Sequence, residues 1–197
     1  MHVKLATDIG SIKADLLIIG VFAQENIADV LVESKLSAGL GKSLLESLSN
    51  MAVEDGFAGR AGQQIMLPTY DKAPFKRLLL VGLGSANDIS NAAFRKLGVQ
   101  GAKRMATINS ASANARKGKG SANVSLCLRL SASGKKGKAS AKNTAKASLS
   151  AAAALEAVVE AWILSSFSFL KYKSVKEDDK TVDQKADNLN LTLHVDA

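Results

Sequence analysis

Few side chains in this 197-residue chain have types that could carry chemistry, and their spacing decides against most of it. His2 and His194 lie near opposite ends, and neither has a second His or Cys at the short spacing that zinc ligands use. Both therefore read as structural or solvent-exposed residues. Cys127 sits in an alternating strand pattern with no neighbouring His in the sequence, so an inert thiol is expected. Gly41-Lys42-Ser43 looks like the end of a phosphate-binding loop. The first glycine of such a loop would fall at Leu36, and no strand leads into it, which excludes it. Gly82-Leu83-Gly84 follows an apolar run and precedes a helical stretch, the context of a dinucleotide fingerprint. The third glycine position holds Asn87, so a tight strand-to-helix turn is the expectation.

Charge offers the one live binding reading. The whole +8 excess comes from residues 95–148, which hold 13 Lys/Arg and no Asp/Glu. Arg116, Lys117, Lys119, Lys135, Lys136 and Lys138, with Lys142 and Lys146 behind them, would form a polycationic surface. Such a surface neutralises phosphates without reading sequence, and its affinity falls steeply with salt. The segment has no aromatic residue to stack on bases and few arginines for bidentate base contacts. DNA binding through this segment is one expectation, and a solvated insertion without a partner is the other.

The elements that would position these residues follow an α/β pattern. Asp15–Phe22 and Lys76–Gly84 are continuous apolar runs, typical of strands covered on both faces. Helical stretches are expected over Ile27–Glu33 and Leu40–Met51, the second with Leu40, Leu44, Leu45 and Leu48 on one stripe. Gln64–Leu67 reads as a strand ended by Pro68, and a helix should start near Asp88 or Ser90 and run toward Met105. Asn123–Leu130 alternates like a half-buried strand, Ala151–Tyr172 is an Ala-rich helix, and Leu189–Val195 alternates like a strand. The Ser/Lys/Ala/Gly stretch 131–148 is too poor in apolar bulk to fold on itself. Alternation of strands and helices predicts a mixed, mostly parallel sheet with helices on both faces.

Aromatic residues make up only 5% of the chain, so the core must be built from Leu, Ile, Val and Ala. The apolar stretch Leu149–Leu170 carries Glu156 and Glu160, and each would cost roughly 3 kcal/mol near a bilayer centre. A buried helix is expected there, and no membrane. Met1–Ile12 lacks the basic and apolar regions of a secretory signal, and the single cysteine suits a reducing compartment. Cytoplasmic location is the expectation.

Three stretches, in order, resemble the leucyl (cytosol) aminopeptidase family. Gly56-Phe-Ala-Gly-Arg-Ala-Gly62 is similar to its Phe-x-Gly-x-x-Gly segment, and Lys76-Arg-Leu-Leu-Leu-Val-Gly-Leu-Gly84 to its Arg-Leu-Leu-Leu-Val-Gly-Leu-Gly strand. Ala151–Glu160 running into Phe169-Leu-Lys-Tyr-Lys-Ser174 resembles the Ala/Glu helix that joins the family's two domains.

The resemblance implies a macro-domain-like three-layer α/β/α sandwich as the N-terminal domain, spanning 1–148 with a basic low-complexity insertion at about 109–148. It further implies a linker helix at 149–174, then a connector and the first strand of a catalytic domain at 175–197. The parent would be a hexameric exopeptidase that releases N-terminal residues, leucine preferred, with two divalent metal ions (Zn or Mn) activating a bridging water. Its metal and catalytic residues belong to an Asn-Thr-Asp-Ala-Glu-Gly-Arg-Leu segment and its surroundings. Nothing in this chain matches that segment, so no catalytic, metal or cofactor residue is carried over. The partners implied are the chain's own C-terminal catalytic domain, further copies of itself, and peptides as substrates of the parent. Macro-domains proper bind ADP-ribose, but a shared fold gives that only as analogy.

Overall fold

A computed structural model describes residues 2–6, 13–34, 40–115, 122–130, 150–166 and 189–196. Its elements in chain order are β1 (His2–Ala6), β2 (Ala14–Phe22), α1 (Ile27–Glu33), α2 (Lys42–Glu54), β3 (Gln64–Pro68), β4 (Phe75–Gly84), a 3-10 turn (Ala86–Asp88), α3 (Asn91–Ala115), β5 (Ala122–Arg129), α4 (Ala151–Ser166) and β6 (Leu189–Asp196). The strands form one six-stranded sheet in the order β1-β6-β5-β2-β4-β3. All neighbours are parallel except β3, which runs antiparallel to β4.

The apolar runs of β2 and β4 are continuous because both faces of the sheet are covered. Leu17, Ile19 and Val21 pack against Ile27, Val30 and Leu31 of α1 and Leu45, Leu48 and Ala52 of α2. Leu16, Ile18 and Phe22 face the other way, onto Phe94, Leu97 and Met105 of α3 and Ala154, Val158 and Trp162 of α4. The result is the expected α/β/α sandwich with a mixed, mostly parallel sheet.

On the second face the two helices approach closely at small residues. A Cβ on Gly98 would lie 2.5 Å from the Val158 carbonyl oxygen, and one on Gly101 would lie 2.4 Å from Cζ3 of Trp162. The glycines lower the propensity of α3 but let it lie against α4 at backbone distance. No helix among the described residues is long and apolar enough to cross a membrane.

Several expectations are corrected. β6, anticipated as the first strand of a further domain, is inserted between β1 and β5 of this sheet, with Leu191 and Leu193 buried in the α3/α4 core. It pairs in parallel with both neighbours, for example Leu191 with Val3 and with Val124. Among the described residues, helix α4 is the element between β5 and β6 in the chain, and it packs on α3. The half-buried strand at Asn123–Leu130 is instead a strand covered on both faces, since Ser125, Cys127 and Arg129 are buried along with the apolar set. Helix α3 continues to Ala115, past the Asn109 at which the insertion was expected to begin. The last residues of the expected helix, 167–172, lie outside the described residues.

Candidate functional site

The carboxyl edge of the parallel strands is where an open α/β sheet usually takes a ligand. Here it is built from the ends of β2, β4 and β5 and from two loops. The first loop is the glycine segment 56–62. Gly59 has φ +67 and presses on the end of β2, where a Cβ would fall 2.2 Å from the Phe22 carbonyl oxygen. Gly82, within β4, has the Arg60 carbonyl oxygen 2.0 Å from where its Cβ would be. Backbone bonds hold the loop to β4: Gly84 N–H donates to Gly59 O at 3.0 Å, Gly62 N–H to Gly82 O at 3.1 Å, and Gly82 N–H to Gln63 O at 2.8 Å. The Gln63 side chain braces it, accepting from the Ala58 and Arg60 N–H groups at 3.0 Å each. Two separate sequence motifs are thus one interlocked unit. Gly82 is required by this close approach within β4, not by a strand-to-helix turn.

The second loop, residues 23–26, follows β2. Ala23 N–H donates to Gly84 O at 2.8 Å, and Gln24, with φ 67, donates to Ala58 O at 3.3 Å. This turn delivers Glu25 to the end of β5. The Glu25 carboxylate receives Nη1 of Arg129 at 2.7 Å on Oε2 and Nη2 at 3.0 Å on Oε1, and Oε2 also accepts from Phe22 N–H at 2.8 Å. Both side chains are 3% exposed. Glu33, half-exposed at the end of α1, stands 3.5 Å from Nη2 of Arg129. Sequence reading missed this pair. Its only signal was a charged residue, Arg129, in an otherwise apolar or small strand.

The residues singled out from the sequence are dispersed. Arg116, Lys117, Lys119, Lys135, Lys136 and Lys138 lie outside the described residues. Among the other basic residues of 95–148, Arg95 pairs with Glu160 at 3.2 Å, Arg104 bonds Gln64 at 3.2 Å, and Lys96 and Lys103 are exposed. His2 is exposed, whereas His194 and Cys127 are both buried. The structure places His194 at the register partner of Cys127 on the neighbouring strand, which corrects the expectation that no His stands near this cysteine. Among the described residues no group of three or more His, Cys, Asp or Glu is placed to hold a metal ion. An open depression of about 440 Å³ lies beside the glycine loop, lined by Asp55, Phe57, Gln63, Gln64 and Ile65. The Gln63 side chain there is already committed to the loop backbone.

At the opposite edge, Asp15, the second residue of β2, ties three strands together. It takes Nζ of Lys76 at 2.6 Å and Asn123 N–H at 3.0 Å. Burial pushes its pKa up, but the Lys76 and Asn123 hydrogen bonds, with the charges of Lys76 and Arg77, win and hold it below the usual carboxylate value.

Comparison with solved structures returns the same architecture. The chain is similar to a mutant of tomato leucine aminopeptidase, at 21% identity and a TM-score of 0.58, covering 100% of this chain and 32% of that one. It is also similar to an Oceanobacillus iheyensis macrodomain mutant with ADPR, at 11% identity and a TM-score of 0.56, covering 97% of this chain and 82% of that one. The chain therefore spans about a third of the tomato enzyme's length. No curated protein matches it. The model of the cytosol aminopeptidase family, N-terminal domain, matches residues 18–176, and on that match the chain belongs to the cytosol aminopeptidase family, through its N-terminal domain.

Proposed function

We propose that this chain is the non-catalytic N-terminal domain of a leucine aminopeptidase, an enzyme that releases N-terminal residues from peptides in the cytoplasm. The match of residues 18–176 to the family's N-terminal domain carries the reading. The parent would be a hexamer using two divalent ions, zinc or manganese, to activate water. In this reading the ions and the peptide belong to a separate catalytic domain. The present domain would support assembly and shape access to the active site. Its rigid, interlocked strand edge suits a scaffold. An immunoblot of the source cells against this domain tests the reading. A band near three times this length, as the tomato comparison implies, supports it, and a band at 197 residues counts against it.

The charge of residues 95–148 supports a second reading, sequence-nonspecific DNA binding through Arg116, Lys117, Lys119, Lys135, Lys136 and Lys138. Titration of duplex DNA across a salt series tests it. Affinity that falls steeply with salt supports it, and no binding at low salt removes it.

A further inference from the structure

In an open α/β sheet the ligand crevice opens where two adjacent strands send their connections to opposite faces. In this sheet β2 meets that condition with both of its parallel neighbours, β4, which leads into α3, and β5; the point between β2 and β5 is the one lined by a buried ion pair. After β2 the chain enters α1 in one layer, and after β5 the next described element is α4 in the other. The groups that close this point are a backbone N–H at a strand end, Phe22, and the guanidinium fork of Arg129. Such a donor set binds a carboxylate or a phosphate oxygen pair. What occupies it is the chain's own Glu25 carboxylate, 3% exposed and accepting from all three donor groups. The turn that delivers Glu25 passes through Gln24 at φ 67, a conformation a non-glycine residue adopts only when its surroundings impose it.

We propose that the switch-point crevice is an oxyanion site closed by an internal ligand, the Glu25 carboxylate, and that it accepts a small carboxylate or phosphate once Glu25 is removed. The site is distinct from peptidase chemistry and does not rest on the aminopeptidase reading. Intact, the chain binds no added oxyanion there, including the diphosphate of ADP-ribose.

The test is chemical rescue. Glu33 stands close enough to swing onto Arg129, so the variants carry Glu33→Gln, and Glu33→Gln alone is the reference. Melting temperature is followed with sodium acetate, then sodium phosphate, then ADP-ribose, at ionic strength held constant with sodium chloride. The Glu25→Ala variant should gain several degrees in a saturable manner with acetate or phosphate. The reference should gain nothing, and adding Arg129→Met should abolish the gain. Whether acetate, phosphate or ADP-ribose gives the largest shift identifies the ligand chemistry. Should Glu25→Ala not fold, Glu25→Ser is measured in the same way, refolded in acetate. Three results would overturn the proposal: no anion-specific gain, an equal gain without Arg129, or failure of both variants to fold even with acetate present.

Discussion

Gly59 and Phe22 lie so close that a single carbon added at Gly59 would fall 2.2 Å from the Phe22 carbonyl oxygen. The contact fastens the glycine loop to the end of β2, and it separates two glycines that look equivalent in the sequence. Gly56 has a similar φ, +69, but nothing lies within 4 Å of its missing Cβ. Gly56→Ala should cost only the left-handed strain, about 1–2 kcal/mol. Gly59→Ala adds a clash with backbone that cannot retreat, a further 1–3 kcal/mol or so. Urea denaturation of both variants checks the order, and equal losses would contradict it.

The α3–α4 contact reverses a familiar rule. In an exposed helix, Gly→Ala gains about 1 kcal/mol from helix propensity. At Gly98 and Gly101 the added methyl meets the Val158 carbonyl and the fully buried Trp162 and Ile18 side chains. Overpacking of about 1–3 kcal/mol then outweighs the gain. Both variants should melt below the parent protein in calorimetry.

The Glu25–Arg129 pair should show strong coupling. Arg129→Met takes the guanidinium away from a buried carboxylate, and breaking a buried pair costs about 3–5 kcal/mol. Adding Glu25→Gln removes the buried charge that Arg129 faced, so the double variant should be more stable than Arg129→Met alone. A double-mutant cycle in urea measures this, and simple additivity would deny the pairing.

Asp15 gives the fold a pH dependence with a defined sign. Its folded pKa is depressed below the unfolded value of about 3.9, so its contribution is fully present above that value. The contribution is lost as pH falls through the depressed folded pKa. Relative to Asp15→Asn, the parent protein should be more stable at pH 7 and at pH 5. The difference should shrink below about pH 4. A gap that stays constant into acid would refute the role assigned to Lys76 and Asn123.

Much of this fold was legible because its strands are written as apolar runs. Lys76–Gly84 and Asp15–Phe22 have the short continuous apolar runs typical of buried strands, and both are strands of this sheet. The alternation of Asn123–Leu130 implies one wet face, which the strand does not have. Arg129 is instead buried by Glu25, 104 residues earlier, and no local pattern announces so distant a partner. The same holds for β6. Its alternation marks a strand, but its parallel pairing with β1 and β5 joins residues far apart in the chain. At the strand edge, Gly82-Leu83-Gly84 reads in the sequence as a tight strand-to-helix turn. That Gly59 and Gly82 serve one interlock followed only from three dimensions.

The central claim, that this is the accessory domain of a metal-dependent aminopeptidase, is most directly tested by immunocapture from source cells with an antibody against this domain. Captured material should hydrolyse leucine p-nitroanilide, lose the activity to a chelator, and regain it with manganese or zinc. Capture of a polypeptide of this length alone, free of peptidase activity under the same metal conditions, would contradict the claim.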